Sequence, residues 1–250
     1  MYSKYICASL LLCLILTEGC SVKEDRSPCG CQLRVAVFCP PGPQPVRLRL
    51  PGFPALDVAH DTVLVLAVFS PEIVLEACSG AFPEPDGSFR IAEGAEAPPL
   101  YLYSGRVDTS GEVAAVEVRL RKEYCQLRLR FRAPPGYGPP FGLRLMGEVA
   151  GCKQSGEPLP GIFFVETAPD AEGLAEVRLP RQRDGSLCLQ LVYRDAVIRS
   201  FALGEYILEA GYDWEAASLT DMEVEIDIGL TSLTLSIIGE PQTERKDILV

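Results

Sequence analysis

Apolar residues in this chain recur at every second position far more often than at every third or fourth. Leu33, Val35 and Val37 share one face opposite Gln32 and Arg34, and "VRLRL" from Val46 to Leu50 alternates without a break. Period two sends one set of side chains to a core and the other to solvent, which is the mark of a half-buried strand. One run departs from it. "TVLVLAVF", Thr62 to Phe69, is apolar almost throughout and predicts a central sandwich strand. Directly after it, Ser70-Pro71-Glu72 offers an N-cap, a first-turn proline and a first-turn acid, with Gly80 as a stop. Those signals predict one short helix over Pro71 to Ser79.

Farther along, Val116, Val118 and Leu120 are apolar at even positions. After "RKEY" the apolar set moves to the odd positions Cys125, Leu127, Leu129 and Phe131. A strand cannot change face without a bend, bulge or turn. A domain boundary is therefore expected near residues 110–121, giving an N-terminal sandwich over 31–115 and a C-terminal one over 116–250. Further strands are "FGLRLMGEVAG", "GIFFVET", "AEVRLP" and "LCLQLVY", with a hairpin across Arg194-Asp195 into "AVIRSFAL". "MEVEIDI" and "LTLSII" close the series, joined by Gly229 to Ser232. This pattern predicts an all-β protein of two β-sandwich domains in tandem.

The N-terminus has a different character. Tyr5 to Leu16 is apolar or small, Lys4 precedes it and Glu18 follows. A membrane-spanning helix needs roughly 20 apolar residues, so the run is too short to span. It suits the hydrophobic region of a secretory signal, with Lys4 as the positive flank. Leu16-Thr17-Glu18-Gly19-Cys20 resembles the relaxed lipobox of Bacteroidetes lipoproteins, which makes residues 1–19 a signal peptide and Cys20 a lipidation site. Residues 20–30 then form a polar tether, and its ten residue steps reach at most ~36 Å.

Composition narrows the chemistry. A net charge of −11 and a pI near 4.7 argue against nucleic-acid partners, which need basic surfaces. Seven cysteines follow Cys20, an odd number at irregular spacing. Cys29-Gly30-Cys31 has no second pair to complete a zinc site. Cys31 and Cys39 fall on one face of a predicted strand, roughly 26 Å apart at ~3.3 Å per residue, too far for a bridge. Cys125 is in phase with Leu127 and Leu129 and reads as a small core residue. Neither a structural metal nor any cofactor is expected.

Two charged stripes invite a binding reading. Arg128, Arg130 and Arg132 occupy the outer face of one strand, and Asp221, Glu223, Glu225 and Asp227 one face of another. Calcium favours such oxygens, but the spacing and glycine of an EF-hand loop are missing. Cross-strand ion pairs and a solvated acidic face account for both stripes. Trp214 is expected to pack a sandwich edge. The sole histidine, His60 beside Asp61, has no accompanying Ser or Cys motif, and no two carboxylates are singled out for hydrolysis, so no enzyme is expected.

"CSVKEDRSPCGC", "PLYLYSGRVD" and "YDWEAASLTDMEVEIDI" together resemble, in the same order, the FimB/Mfa2 family. These are the lipid-anchored base subunits of type V fimbriae in Bacteroidetes. The resemblance implies two transthyretin-like sandwiches, an outer-membrane location, and a part in anchoring a fimbrium and limiting its length. The family's lipidated cysteine maps to Cys20. Departures are Gly30 where proline is common, the additional cysteines, and a tail after Ile238 without an aromatic residue.

The expected partners are the outer membrane, through acyl chains on Cys20, and a fimbrial stalk subunit joined by β-strand addition. Leu233, Leu235 and Ile237, with Ile248, Leu249 and Val250, are the candidate donor residues for that strand. A surface lipoprotein gripping a glycan or a host protein is the alternative. One Trp and nine Tyr are a weak basis for a glycan platform.

Overall fold

The computed structural model describes residues 30–132, 141–227, 232–238 and 246–249, the last two segments by their backbone. Eight strands over Cys31–Phe38 (β1), Val46–Arg49 (β2), Leu56–Val58 (β3), Thr62–Val68 (β4), Glu72–Ser79 (β5), Ser88–Arg90 (β6), Tyr101–Asp108 (β7) and Val113–Arg119 (β8) come first. Arg121–Lys122 (β9), Tyr124–Arg132 (β10), Gly142–Lys153 (β11), Pro158–Thr167 (β12), Leu174–Pro180 (β13), Cys188–Tyr193 (β14) and Ala196–Phe201 (β15) follow. After the helix α1 (Leu203–Glu209), the strands β16 (Asp221–Asp227), β17 (Ser232–Ile238) and β18 (Lys246–Leu249) complete the chain.

These strands make two sandwiches. In the first, sheet A (β4-β1-β8) packs on sheet B (β3-β2-β5-β7-β9), with Leu33, Val35, Val37, Leu48 and Leu75 between them. In the second, sheet D (β13-β10-β16-β17-β18) packs on sheet C (β12-β11-β14-β15). Alternation decides which side chains go inside. The odd positions of β10, Cys125 to Phe131, are buried, as are Met222, Val224 and Ile226 of β16, whereas the intervening charges face out. Cys125 is a core residue, and burial pushes its thiol up to about 12.

Three expectations need correction. Residues 72–79 are not helical: Ile73, Leu75 and Ala77 alternate into the first core as β5, antiparallel to β7. The cap signals are used otherwise, since Ser70 Oγ donates to Glu72 O at 2.8 Å, and Gly80 turns the chain at φ 89. Eight residues in register with β7 outweigh a short-range helix start. The helix lies instead at Leu203–Glu209, where Ala202 caps it with no side-chain hydrogen bond. The second correction concerns "TVLVLAVF": β4 lies at the edge of sheet A rather than at its centre.

The third correction moves the division between the sandwiches. A cut after 115 would run through β8, which pairs with β1 from Val113 to Arg119. β9 then pairs with β7, so residues through Lys122 stay with the first sandwich. The change of apolar phase marks the point where the chain leaves sheets A and B and enters sheet D.

A segment from the first half crosses onto the second. β6 pairs with β11, through Gly151↔Arg90, Cys152↔Phe89 and Lys153↔Ser88. Beyond it, Ile91 N–H donates to Ala150 O, Gly94 N–H to Phe164 O, and Ala97 N–H to Arg178 O. In return, Gln154 Nε2 reaches Ala77 O at 3.1 Å and Tyr103 O at 3.3 Å in sheet B. Phe89, Leu100, Leu102, Cys78 and Cys152 fill the joint. Gly151, at φ 146, is required there, because a Cβ would lie 2.0 Å from Phe89 O.

Candidate functional site: strand edges and the joint

An edge strand carries unpaired backbone donors and acceptors, so its protection or exposure shows where a partner strand could add. β13 is covered: Ala97 donates to the Arg178 carbonyl, and Arg178 Nε returns a hydrogen bond to Ala97 O at 2.8 Å. Edge β12 carries Pro158 and Pro160, and its pairing with β11 shifts register at Gly147/Val149 and again at Val149/Cys152. Those features blunt an edge. β15 is bulged against β14, beyond a two-residue turn at Arg194 and Asp195, both at positive φ. β4 has none of these devices. Its outward side chains are Val63, Val65 and Ala67, and its inward Leu64 and Leu66 are only half-buried.

The predicted donor residues are in sheet D. Leu233, Leu235 and Ile237 lie in β17, registered opposite Ile226, Val224 and Met222 of β16. β18 pairs with the other side of β17, with Ile248 opposite Leu233 and Leu249 opposite Ser232. β17 is thus an interior strand of its own sheet, and β18 is the edge. Cys20 and Val250 lie outside the described residues. The chain enters at Gly30, where a Cβ would sit 3.0 Å from the Phe69 ring.

The two charged stripes meet in part. β10 and β16 run parallel and in register, Arg128↔Glu223, Arg130↔Glu225 and Arg132↔Asp227. Arg130 Nε meets Glu223 at 3.1 Å, Arg132 Nε meets Glu225 at 2.8 Å, and Arg128 Nε meets Glu176 of β13 at 2.8 Å. Asp221 accepts from Lys122 Nζ and, at 2.8 Å, from the Gln126 N–H. Two of the ion pairs thus join stripe to stripe, while Arg128 and Asp221 find partners on β13 and β9. Among the described residues, no group of three or more His, Cys, Asp or Glu is placed to hold a metal ion. His60 is exposed, and Asp61 accepts the Cys39 N–H at 2.8 Å, a loop contact.

A buried ionic cluster at the joint was not foreseen. Glu123, between β9 and β10, has a side chain 1% exposed and accepts from Arg181 Nε at 2.7 Å. Arg121 lies 3.3 Å from its other oxygen and also donates to Ser155 O at 2.7 Å. Arg181 Nη1 donates to Trp214 O and, at 2.9 Å, to Ala216 O. Two guanidiniums and one carboxylate thus tie the inter-sandwich linker to the β11–β12 turn and to the loop after α1. Trp214 is buried edge-on to Tyr212, ring centroids 4.7 Å apart, in the core of the second sandwich. The sequence signal for this cluster was only the change of apolar phase at "RKEY".

No family model matches the sequence, and no curated protein matches it. Solved structures do resemble it in fold. The fimbrial anchor protein Mfa2 from Porphyromonas gingivalis superposes with a TM-score of 0.59 at 9% identity, over 85% of this chain and 98% of that one. A candidate polysaccharide-binding protein from Bacteroides thetaiotaomicron gives 0.57 at 11% identity, over 86% and 100%. A candidate adhesin from Bacteroides ovatus gives 0.56 at 10% identity, over 87% and 95%. At such identities the likeness is one of fold, and it extends through both sandwiches.

Proposed function

We propose that this chain is a lipid-anchored base subunit that holds a fimbrium at the outer membrane and ends its growth there. The observation that carries the reading is the pairing of two features. A lipobox-like Leu16-Thr17-Glu18-Gly19-Cys20 precedes the first strand by a short tether, and the tandem sandwich behind it has the fold of a fimbrial anchor protein. Acyl chains on Cys20 supply the membrane hold, at about 0.8 kcal/mol per buried CH₂, and more than one chain makes it stable. Two domains, meeting at Glu123, transmit load from the lipid to the stalk. The contact with the stalk is a strand addition at the C-terminal segment, with Ile248 and Leu249 on edge strand β18, Leu233, Leu235 and Ile237 on β17 behind it, and Val250 the last of the candidate donor residues. No enzymatic role is assigned.

Cys20→Ala is the deciding variant. It is expected to release the protein into the medium together with its fimbriae, and mass spectrometry of the wild type is expected to find acylation at Cys20. An unmodified mature N-terminus at another residue overturns the reading. Deleting residues 239–250 tests the contact: the lipoprotein is expected to stay on the cell while fimbriae are shed. Fimbriae that remain attached would take the tail out of the contact.

A further inference from the structure

Exposed apolar side chains also occur at Ile162 of β12 and at Val197 and Ile198 of β15, but the outer face of sheet A gathers a larger set, on β4 and β8. On β4 the outward residues are Val63, Val65 and Ala67, followed by Phe69, with Val113 and Ala115 on β8 across the sheet. Phe69 is 75% exposed, Val63 63%, Val113 59% and Val65 56%. The strand between them contributes Gln32, Arg34, Ala36 and Phe38, the last covered by Arg119 at 3.7 Å from its ring. Glu117 pairs with Arg119 at 3.1 Å, which leaves Arg34 as the central charge, with Glu112 at the rim. In a chain of net charge −11 this face is close to neutral and largely apolar. Soluble monomers seldom expose contiguous apolar surface of this kind without a use for it.

The position of the chain entry says what covers it. Gly30 lies against the Phe69 ring and the Val68 carbonyl, so the tether leaves from the end of this same sheet. Ten residue steps, reaching at most ~36 Å, separate Gly30 from Cys20. Seven residues of β4 at ~3.3 Å each span less than that, so lipid at Cys20 holds the whole face within reach of the bilayer. Near-neutrality matters here, because an anionic leaflet repels the acidic remainder of the molecule.

We propose that this face, Val63, Val65, Ala67 and Phe69 with Val113, docks on the lipid bilayer and lays the first sandwich against the membrane. The proposal rests on the lipid reading of Cys20. The acyl chains set the distance, and the apolar face sets the orientation. An apolar surface of this sort sinks to the boundary between headgroups and acyl chains.

The test uses the full lipidated chain with Phe69→Trp, incorporated into vesicles of phosphatidylethanolamine and phosphatidylglycerol with brominated or ordinary acyl chains. Trp214 is buried, so it contributes the same background in both. The added indole is expected to lose about half its emission in brominated vesicles, since an interfacial side chain reaches the upper acyl region. Adding Val65→Glu is expected to abolish that loss while the protein still floats with the vesicles. Protein that floats with full emission overturns the docking but leaves the anchor reading intact. Quenching that survives Val65→Glu overturns it as well, because tethering alone would then bring residue 69 near lipid. A chain that mass spectrometry finds unacylated and that does not float with the vesicles overturns the anchor reading and the docking that rests on it. Full emission together with crosslinking of residue 69 to another surface protein in cells assigns the face to a protein partner and rejects the membrane.

Discussion

The two sandwiches solve the same packing problem with different materials. The first closes around aliphatic side chains, and its aromatic neighbours Phe53 and Tyr103 are only partly buried. The second buries Phe131, Phe141, Phe163, Phe201, Tyr212 and Trp214. In the first, a three-stranded sheet covers a five-stranded one and leaves Leu64 and Leu66 half-buried at an open edge. In the second, the outer face of β10 is paired charge for charge, and edge β13 is capped by a segment borrowed from the first half. The aromatic sandwich has its β13 edge closed by the first half of the chain, whereas the aliphatic one leaves its β4 edge open.

Removing one member of the buried cluster should strike the second sandwich hardest. Arg181→Ala leaves Glu123 with Arg121 alone and frees the carbonyls of Trp214 and Ala216. Breaking a buried pair in this way costs about 3–5 kcal/mol. Denaturant unfolding followed by Trp214 fluorescence is expected to show that loss. A midpoint unchanged from wild type would mean that Glu123 is solvated and that the cluster does not support the second sandwich.

Gly151→Ala acts on the coupling rather than on either core. The new Cβ collides with Phe89 O, so β6 must leave β11 or the backbone must strain by about 1–3 kcal/mol. Hydrogen exchange is expected to rise through residues 88–98 while sheets A and B keep their protection. Two separated thermal transitions in this variant would expose the stability of each sandwich on its own. A single unshifted transition would deny that the borrowed segment joins them.

Alkaline pH gives the smallest of the three effects. Burial raises the thiols of Cys125 and Cys152 from 9.0 to about 12. Above pH 9 the unfolded chain has released protons that the folded chain still holds, so stability is full below that pH and falls as pH rises toward 12. About 1 kcal/mol per thiol is expected to be lost by pH 10. Iodoacetamide at pH 8.5 is expected to leave both residues unlabelled in the folded protein. Rapid labelling of Cys125 would mean that the second core is looser than its packing indicates.

Strand identity was legible wherever one face met solvent, because the period-two pattern is set by burial. The alternations of β1, β10 and β16, the Arg194-Asp195 hairpin and cross-strand ion pairs for the arginine stripe all followed from it, whereas the pairing of Glu223 and Glu225 with those arginines did not. Two failures share a cause. Ser70-Pro71-Glu72 is a local start signal, and eight residues of cross-strand register with β7 overrode it. α1 was invisible because Ala202 offers no side-chain cap and only seven residues follow. "TVLVLAVF" was read as a central strand because continuous apolarity describes both a doubly buried strand and an edge with an apolar outer face. Only neighbours in space separate those cases. The Glu123 cluster was likewise beyond sequence, since Arg181, just after β13, and Ser155, in the β11–β12 turn, reach it from distant parts of the chain.

The direction of the strands determines how each sandwich responds to being pulled. β1, where the chain enters the first sandwich, runs parallel to β8 near its exit, over Gln32–Phe38 against Val113–Arg119. β10 and β16 repeat the arrangement in the second. Tension applied at Gly30 and drawn off beyond Arg119 slides β1 and β8 past each other, so the hydrogen bonds of that ladder resist together. The antiparallel pair at the chain end behaves differently. A pull on the end of β18 opens it from β17 one bond at a time. The molecule therefore combines a shear clamp where the chain enters the first sandwich with a zipper at β17 and β18, and under load the last strand peels before either sandwich yields.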